Sequence, residues 1–557
     1  MEQQQVTLLR KRQSKVYLIV GSAHLGVSCQ ILKVLQQVKM YFNAEVVHLG
    51  RTVTREEKEM HNRRSLRIKT WEKENKEQET QRKEELEKAK GELKDKLSEE
   101  SFKSRIKNIK ARQDADRLSY KRTYQSLADE IDSLEGAQQL RVDFLNKYLG
   151  PVTFVTNNEL CLAASLKETG IKTIQDSLSL SRHLYCGAVP ANGDKVSNSP
   201  ITRRILRTFK NKGKSWIVPH PIPAISSFPR EGLNSSFCYY STGSLQEREN
   251  PKTPGELYLS SHSPAAVLIL VDSATGEFYA QHLHIDSVWE EISHRNQPII
   301  TTDGLVFTTR SVSEVSSANK AMFSTDAHSP HHHLGVLAAI QATNQLHQPE
   351  TFFDGGDCSD FESVCRHTKS LPGAREGKRL VDDLTVAKKF LDAETDCSSI
   401  KRRVLLDSNH ASWLDTFVLE NPALIGMVDW KTIARQWAPW EVIIREGEDR
   451  VIRFFDMVLR HGDMEGSLTR AASLFTKYGC GHWHSLQSIG RCVSIGPACQ
   501  LGLSYLGTAM TSWTSMFATL TAYKGSAAIS PKTVLHDEER RISKFSYRNA
   551  IYQVNWE

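Results

Sequence analysis

The stretch AMFSTDAH, Ala321 to His328, decides how the rest of the chain is read. Ala-Met-Phe-Ser reads as a short buried strand, and its polar end delivers Asp326 and His328 two positions apart. On extended backbone, side chains at that spacing point the same way. The arrangement recurs downstream: ETFFDGGD ends on Asp357, RRVLLDSNH on Asn409 and His410, FFDMVLRHGD carries His461, and YGCGHWH ends on His482 and His484, again two apart. Strand ends of a layered α/β or β-sandwich fold are where a chain presents such groups. Apart from His410, the set holds two Asp, one Asn and four His. That mixture of oxygen and imidazole donors suits a pair of divalent cations such as Mn²⁺, Fe or Zn²⁺. The lack of a cysteine cluster argues against a structural zinc site.

Taken in order, the five motifs resemble those of the calcineurin-like metallophosphoesterase superfamily: D-x-H, GD, GNH followed by an acid, H, and GHxH. The matching residues are Asp326-Ala327-His328, Gly356-Asp357, Ser408-Asn409-His410, His461 and Gly481-His482-Trp483-His484, within residues 318–515. The resemblance implies a binuclear centre in which Asp357 bridges both metals. Asp326, His328 and His484 would hold one metal, and Asn409, His461 and His482 the other. Two divalent ions are expected, Mn²⁺ foremost, with Fe, Zn²⁺ or Mg²⁺ as alternatives. A metal-bridging hydroxide would attack phosphorus, and His410 would be the catalytic residue assisting the leaving oxygen as general acid or charge stabiliser. Ser408 replaces the usual Gly. Ala411 replaces the acid that normally orients the histidine, and Asp415 and Asp463 are the candidates to substitute for it.

Working outward, the first half repeats the rhythm. KVYLIV (Lys15–Val20), a helical QILKVLQQVKMYF and AEVVHLG read as a βαβ unit. PAAVLILVDSATGEFYAQHLHID reads as a β-hairpin across Ala274-Thr275-Gly276. SAHLGV resembles DAH…HLGV. Setting EVVHLGR against TFFDGGD places Arg51 opposite Asp357. Setting VTFVTNNE against VLLDSNHA places Asn157 opposite Asn409 and Asn158 opposite His410, and setting SWIVPH against DMVLRH places His220 opposite His461. No GHxH occurs in the first half. An arginine at the bridging position would repel two dications, so this copy is expected to hold no such centre. From Arg51 to Lys147 there is no proline, and charges of both signs alternate with scattered Leu and Ile. This predicts a long helical, coiled-coil-like hairpin bending near Lys94 to Ser101. A solvated or oligomerising arm is its plainest reading, with contact to DNA through the basic KSRIKNIKAR as the second.

The expected architecture is therefore α/β: tandem metallophosphoesterase-like four-layer α/β/β/α sandwich domains. Residues 1–285 form the degenerate, non-catalytic copy with the arm at 51–147 inserted, and residues 286–557 form the catalytic copy. The 557 residues, 39% hydrophobic and 25% charged, exclude a collagen-like, wholly disordered or disulfide-scaffold protein. Lys+Arg minus Asp+Glu is 72 − 65 = +7, which permits nucleic acid as a partner without demanding it. The ten cysteines are scattered and form no CxxC, which points to reduced thiols in a cytoplasmic compartment. Neither a signal peptide nor a membrane span is read. Pairing an inactive copy with an active one resembles a group of early-expressed siphophage proteins that degrade host DNA. That resemblance implies a Mn²⁺-dependent DNase in the infected bacterial cytoplasm, homo-oligomeric, with DNA as partner and a second phage or host protein as a further one. The alternatives are a phosphatase or a nucleotide or cyclic-nucleotide diesterase and, from another class, a non-catalytic regulator that reaches host machinery through the arm. His331, His332 and His333 are expected in an exposed loop, and Arg366 and His367 are balanced between phosphate contact and a helix surface.

Overall fold

The computed structural model describes residues 12–21, 28–49, 55–156, 173–175, 177–187, 213–220, 222–229, 236–245, 263–291, 293–368, 372–443, 452–502 and 511–557. These fall into two compact units. One holds the described residues of Met1–Gly50, Leu145–Asn157 and Lys172–Glu557, and the other those of Arg51–Phe144 and Asn158–Ile171.

Two six-stranded sheets organise the larger unit. The first uses β1 (Ser14–Val20), β2 (Glu45–Leu49), β3 (Val152–Thr156), β4 (Thr173–Gln175), β10 (Ala265–Asp272) and β11 (Phe278–His284), in the order β11-β10-β1-β2-β3-β4. β1 to β4 are parallel, and the β10–β11 hairpin adds antiparallel to β1. The second uses β16 (Lys320–Ser324), β17 (Thr351–Asp354), β18 (Arg402–Leu406), β19 (Trp440–Ile443), β25 (Met516–Tyr523) and β26 (Ser526–Thr533), in the order β26-β25-β16-β17-β18-β19. Its four central strands are again parallel and its hairpin again antiparallel. Strand for strand, the two sheets share order and direction. All eight residues of β10 and all five of β16 are buried, which is why these strands read as apolar runs rather than alternating ones.

A ten-stranded sheet joins the halves. It runs β20-β21-β22-β24-β23-β8-β9-β7-β6-β5, with β5 (Ser177–Ser179), β6 (Leu184–Gly187), β7 (Ser215–Val218), β8 (Ala224–Pro229) and β9 (Ser236–Ser241) from the first half. The second half supplies β20 (Ile452–Phe454), β21 (Met457–Leu459), β22 (Tyr478–Cys480), β23 (Gln487–Ile489) and β24 (Cys492–Ser494). Order and direction read the same from both ends, and the halves meet where β23 pairs antiparallel with β8, Ser488 opposite Ile225. This corrects one alignment. β7, the strand SWIV, occupies the place of β22 and not of β21, so His220 stands opposite His482 rather than His461. Short sheets β12-β13-β14-β15 (Asp286–Glu290, Arg295–Thr302, Leu305–Phe307, Val312–Glu314) and β27-β28-β29 (Leu535–Asp537, Ile542–Tyr547, Ala550–Asn555) complete the unit.

Helix α1 (Cys29–Phe42) buries Ile31, Leu32, Val34, Leu35, Val38 and Phe42, one face at helical spacing. Ser28 starts it by accepting from Gln30 N at 3.3 Å, and left-handed Asn43 ends it. In the second half, α4 (Leu334–His347), α5 (Leu380–Glu394) and α6 (Ala411–Glu420) contribute Val336, Ile340, Phe390 and Leu414 to a core that includes Met322, Phe352 and Leu405 of the sheet. The smaller unit contains α2 (Arg55–Lys94) and most of α3 (Glu99–Leu149), the hairpin anticipated with its bend at residues 95–98. Cross-pairs Arg141–Glu57, Arg64–Glu130 and Arg117–Glu79 at 2.6–2.8 Å, with Trp71 against Tyr124, set the two helices antiparallel. Among the described residues, no helix is long and apolar enough to cross a membrane.

A buried polar cluster ties β26 to β11. The Lys532 ammonium donates to Asp303 at 2.7 Å and to Gln281 Oε1 at 3.0 Å, and Thr519 donates to Asp303 at 2.8 Å. Beside it His347, fully buried, has its Nε2 on the Leu520 carbonyl at 3.2 Å and its Nδ1 on the Tyr547 hydroxyl at 3.1 Å. Burial pushes this imidazole down to about 4, and nearby Asp303 offsets that only in part. A folded-state pKa below the unfolded value means that the stability is present above about 6.5 and is lost as pH falls toward 4. Thermal unfolding of the wild type should therefore drop across that window, by at most about 1.4 kcal/mol per pH unit from this residue. His347→Gln should flatten that part of the profile, and an unchanged slope in the variant would contradict the assignment.

Candidate metal centre

All eight anticipated residues converge at one edge of the second six-stranded sheet and the neighbouring half of the ten-stranded sheet. Asp326 and His328 follow β16, Asp357 follows β17, Asn409 and His410 follow β18, His461 follows β21, and His482 and His484 follow β22. The reason for convergence differs from the sequence reading. Asp326, His328, Asp357, His482 and His484 are not on extended backbone; all five are left-handed, with φ of 54°, 46°, 51°, 66° and 54°. Asp and His tolerate this region better than most side chains, and its cost is of order 1–3 kcal/mol per residue. The chain thus kinks as it leaves β16, β17 and β22 and turns these donors inward. The motif glycines have a steric origin. Gly356 has φ +97°, and a Cβ there would press on Ser408 and His461, while one on Gly481 would overlap the Asp326 carboxylate.

Three groups of donors form. Asp326, His328 and His484 make one, Asp357, His461 and His482 a second, and His328, Asp357 and His410 a third between them. The Asp357 Oδ2 atom lies 3.2 Å from His461 Nε2, 3.9 Å from His328 Nε2 and 3.8 Å from His410 Nε2. Asp326 Oδ1 is 3.5 Å from His484 Nε2, and the Asp326 carboxylate also accepts from the His482 backbone N–H.

The donor chemistry fits cations. His328 Nδ1 donates to Asp360 Oδ1 at 3.0 Å, which turns its Nε2 toward His484 Nε2, 3.2 Å away. His461 Nδ1 donates to the Gly355 carbonyl at 2.9 Å, leaving its Nε2 facing Asn409 Oδ1 at 2.8 Å and Asp357 Oδ2. At such distances each pair needs a proton or a cation between its atoms. The side chains show the same demand. Burial pulls His461 down, but Asp357 and Asp326 outweigh it and carry it up to about 10. Asp326, opposed by burial, is held at about 2 by His484 and His461. A divalent cation bound at these atoms would compete with the protons. Behind the cluster, burial raises the Asp354 carboxyl to about 7 and Glu394 well above its ordinary range, and Asp354 braces the loop by accepting from Gly356 N at 2.8 Å.

His410 stands at the rim. Its ring stacks on Trp413 at 3.8 Å, and the Arg366 guanidinium lies over that Trp at 5.8 Å from the ring centre. Burial lowers His410 to about 4, and Asp357 only partly opposes it. The acid facing its Nδ1 is Asp360, with Oδ1 at 3.4 Å and the backbone carbonyl at 3.3 Å. Asp415, one of the two substitutes weighed from the sequence, instead accepts from Trp430 N at 3.3 Å. Asp360 was legible only as the last residue of GDCSD, three beyond Asp357, since nothing in the sequence sets it beside residue 410. The three consecutive histidines do not form an exposed loop. His331 and His332 are half-buried, and His333 is buried as the N-cap of α4, accepting from Gly335 N at 3.0 Å. Arg366 is exposed, whereas the His367 side chain lies outside the described residues.

Among the described residues, the donor clusters all lie in the second half, including a fourth, less buried one of His331, Asp360 and Glu362. Ser22, Arg51, Asn157 and Asn158, the first-half positions singled out from the sequence, lie outside the described residues. His220 is described, and its ring serves its own backbone: Nδ1 accepts from Ile222 N at 3.1 Å. No protein-family model matches the chain, and no curated protein matches it either.

Mn²⁺ should raise the unfolding temperature of the wild type by ligand linkage, about 2.7 kcal/mol at a hundred times Kd. Asp357→Ala should abolish that rise and His410→Ala should keep it. The rise should weaken from pH 7 to pH 5 as protons compete for the imidazoles. A full Mn²⁺ response in Asp357→Ala would remove Asp357 from the centre.

Proposed function

We propose that the chain is a metal-dependent hydrolase of phosphodiester bonds, with DNA as its substrate. The observation that supports this most is the meeting of two Asp and His donor clusters at Asp357 with a neutral histidine at their rim. Asp326, His328 and His484 would hold one divalent ion, Asn409, His461 and His482 the other, and Asp357 both, with Mn²⁺ the first choice for mixed oxygen and imidazole donors. Bound there, such ions polarise phosphoryl oxygens and lower the pKa of water.

The chain's own groups supply the rest. Asp360 orients His410 by receiving its Nδ1–H, so that Nε2 is the atom free to hold or move a proton at the leaving oxygen. An arriving phosphodiester brings negative charge next to an imidazole that burial keeps neutral, and that charge favours its protonated form. Arg366, exposed over Trp413, is placed to meet a non-bridging oxygen.

The matched strand orders support reading the fold as two tandem sandwich domains, 1–285 and 286–557, the second catalytic and the first degenerate. DNA is favoured over a small diester by the chain's positive balance and by its long helical arm. Degradation of host DNA in an infected bacterial cytoplasm is the setting that the sequence resemblance implies.

With Mn²⁺ and linear or plasmid DNA, the wild type should cleave and Asp357→Ala should not. His410→Ala should lose on the order of 10²–10⁴-fold in kcat while still binding metal. Asp360→Asn should lose less and shift the pH profile. Cleavage at the wild-type rate by His410→Ala would refute its role, and hydrolysis of simple diesters with none of DNA would move the substrate to a small nucleotide.

A further inference from the structure

On the His484 side of the centre lies a cavity of about 860 Å³ that the hydrolytic residues do not line. Trp513 belongs to both places: its ring sits 4.2 Å from the His484 imidazole, and it walls the cavity. The remaining walls come from both halves of the chain. Phe237 of β9 and Phe278 of β11 belong to the first half, and Trp556 to the second. The two sides are stitched at the cavity by a hydrogen bond of 2.6 Å between the Ser236 and Thr514 hydroxyls. The size is that of a small-molecule site, and flat π-faces with hydroxyl edges dominate its lining. Among the described lining residues there is no lysine or arginine. A phosphate is therefore a poor occupant, whereas a ring that stacks and offers polar edges is a good one.

We propose that this cavity receives an unstacked nucleobase of the strand whose phosphodiester lies at the metal centre. The inference rests on the phosphodiesterase reading above and adds to it. It gives the first half, which shows no donor cluster among its described residues, a direct part in holding substrate. Trp513 marks the step from phosphate to base: a nucleotide bound with its phosphate beside His484 has its base within reach of that ring. Recognition by stacking tolerates every base, so the site confers affinity for single-stranded or opened DNA rather than sequence preference.

The test compares a single-stranded oligonucleotide with one of equal length carrying abasic positions around the scissile bond. The wild type should show the lower KM on the base-bearing strand. Phe278→Ala should raise that KM on the order of 10-fold, leave kcat and the Mn²⁺ melting shift in place, and leave the abasic strand unaffected. Trp556→Ala should behave alike and serves if Phe278→Ala fails to fold. Equal effects on both strands, or none on either, would overturn the inference. If the wild type cleaves neither strand, the hydrolase reading fails by itself, and anisotropy binding of the same two strands to the metal-free protein decides the cavity. A preference for the base-bearing strand that Phe278→Ala removes would sustain it, and no preference would end it.

Discussion

Imidazoles and carboxylates packed against one another form the polar cluster around which the second half is built. His328 and His461 each commit one ring nitrogen to a fixed acceptor, Asp360 Oδ1 and the Gly355 carbonyl. That commitment points the other nitrogen at Asp357 and its neighbours. Such a cluster needs protons or cations between its atoms, and the fold tolerates it because every donor is held by a strand end.

Holding the ligands requires backbone that most sequences avoid. Five ligands are left-handed, and the glycines beside them clear the space they turn through. Rigid parallel strands on one side and the ten-stranded sheet on the other pin both ends of these kinks. The same ten-stranded sheet ties the halves together. Its central β23–β8 pairing, the buried Lys532–Asp303–Gln281 cluster and the Ser236–Thr514 bond make the first half a wall beside the centre rather than a detached copy.

Much of this was legible in residues. AAVLILVD and KAMFS are buried on both faces and read as apolar runs, while Asp326, His328, Asp357, Asn409, His410, His461, His482 and His484 each follow such a run. The proline-free, charge-rich stretch at 51–147 became α2 and α3 because its polarity suits a solvated hairpin. Asp360 was missed as the partner of His410 because the contact spans fifty residues and two loops. His220 was set against the wrong histidine because short strands such as SWIV and DMVL look alike until their sheet neighbours are known. His333 was read as exposed because the groups that cover it, His536 stacked on it at 3.8 Å and Glu538 bonded to its Nε2 at 2.9 Å, come from a distant part of the chain.

The sequence by itself determined which residues can donate to a cation and where each strand ends, because burial and donor chemistry are properties of residue types and of their local order. The tertiary structure alone decided which nitrogen of His328 and of His461 faces the cluster, which acid turns His410, and that Trp513 links the cluster to a cavity walled by both halves. Those outcomes depend on distances between segments far apart in the chain, set by strand pairing and left-handed turns, and no local pattern encodes them.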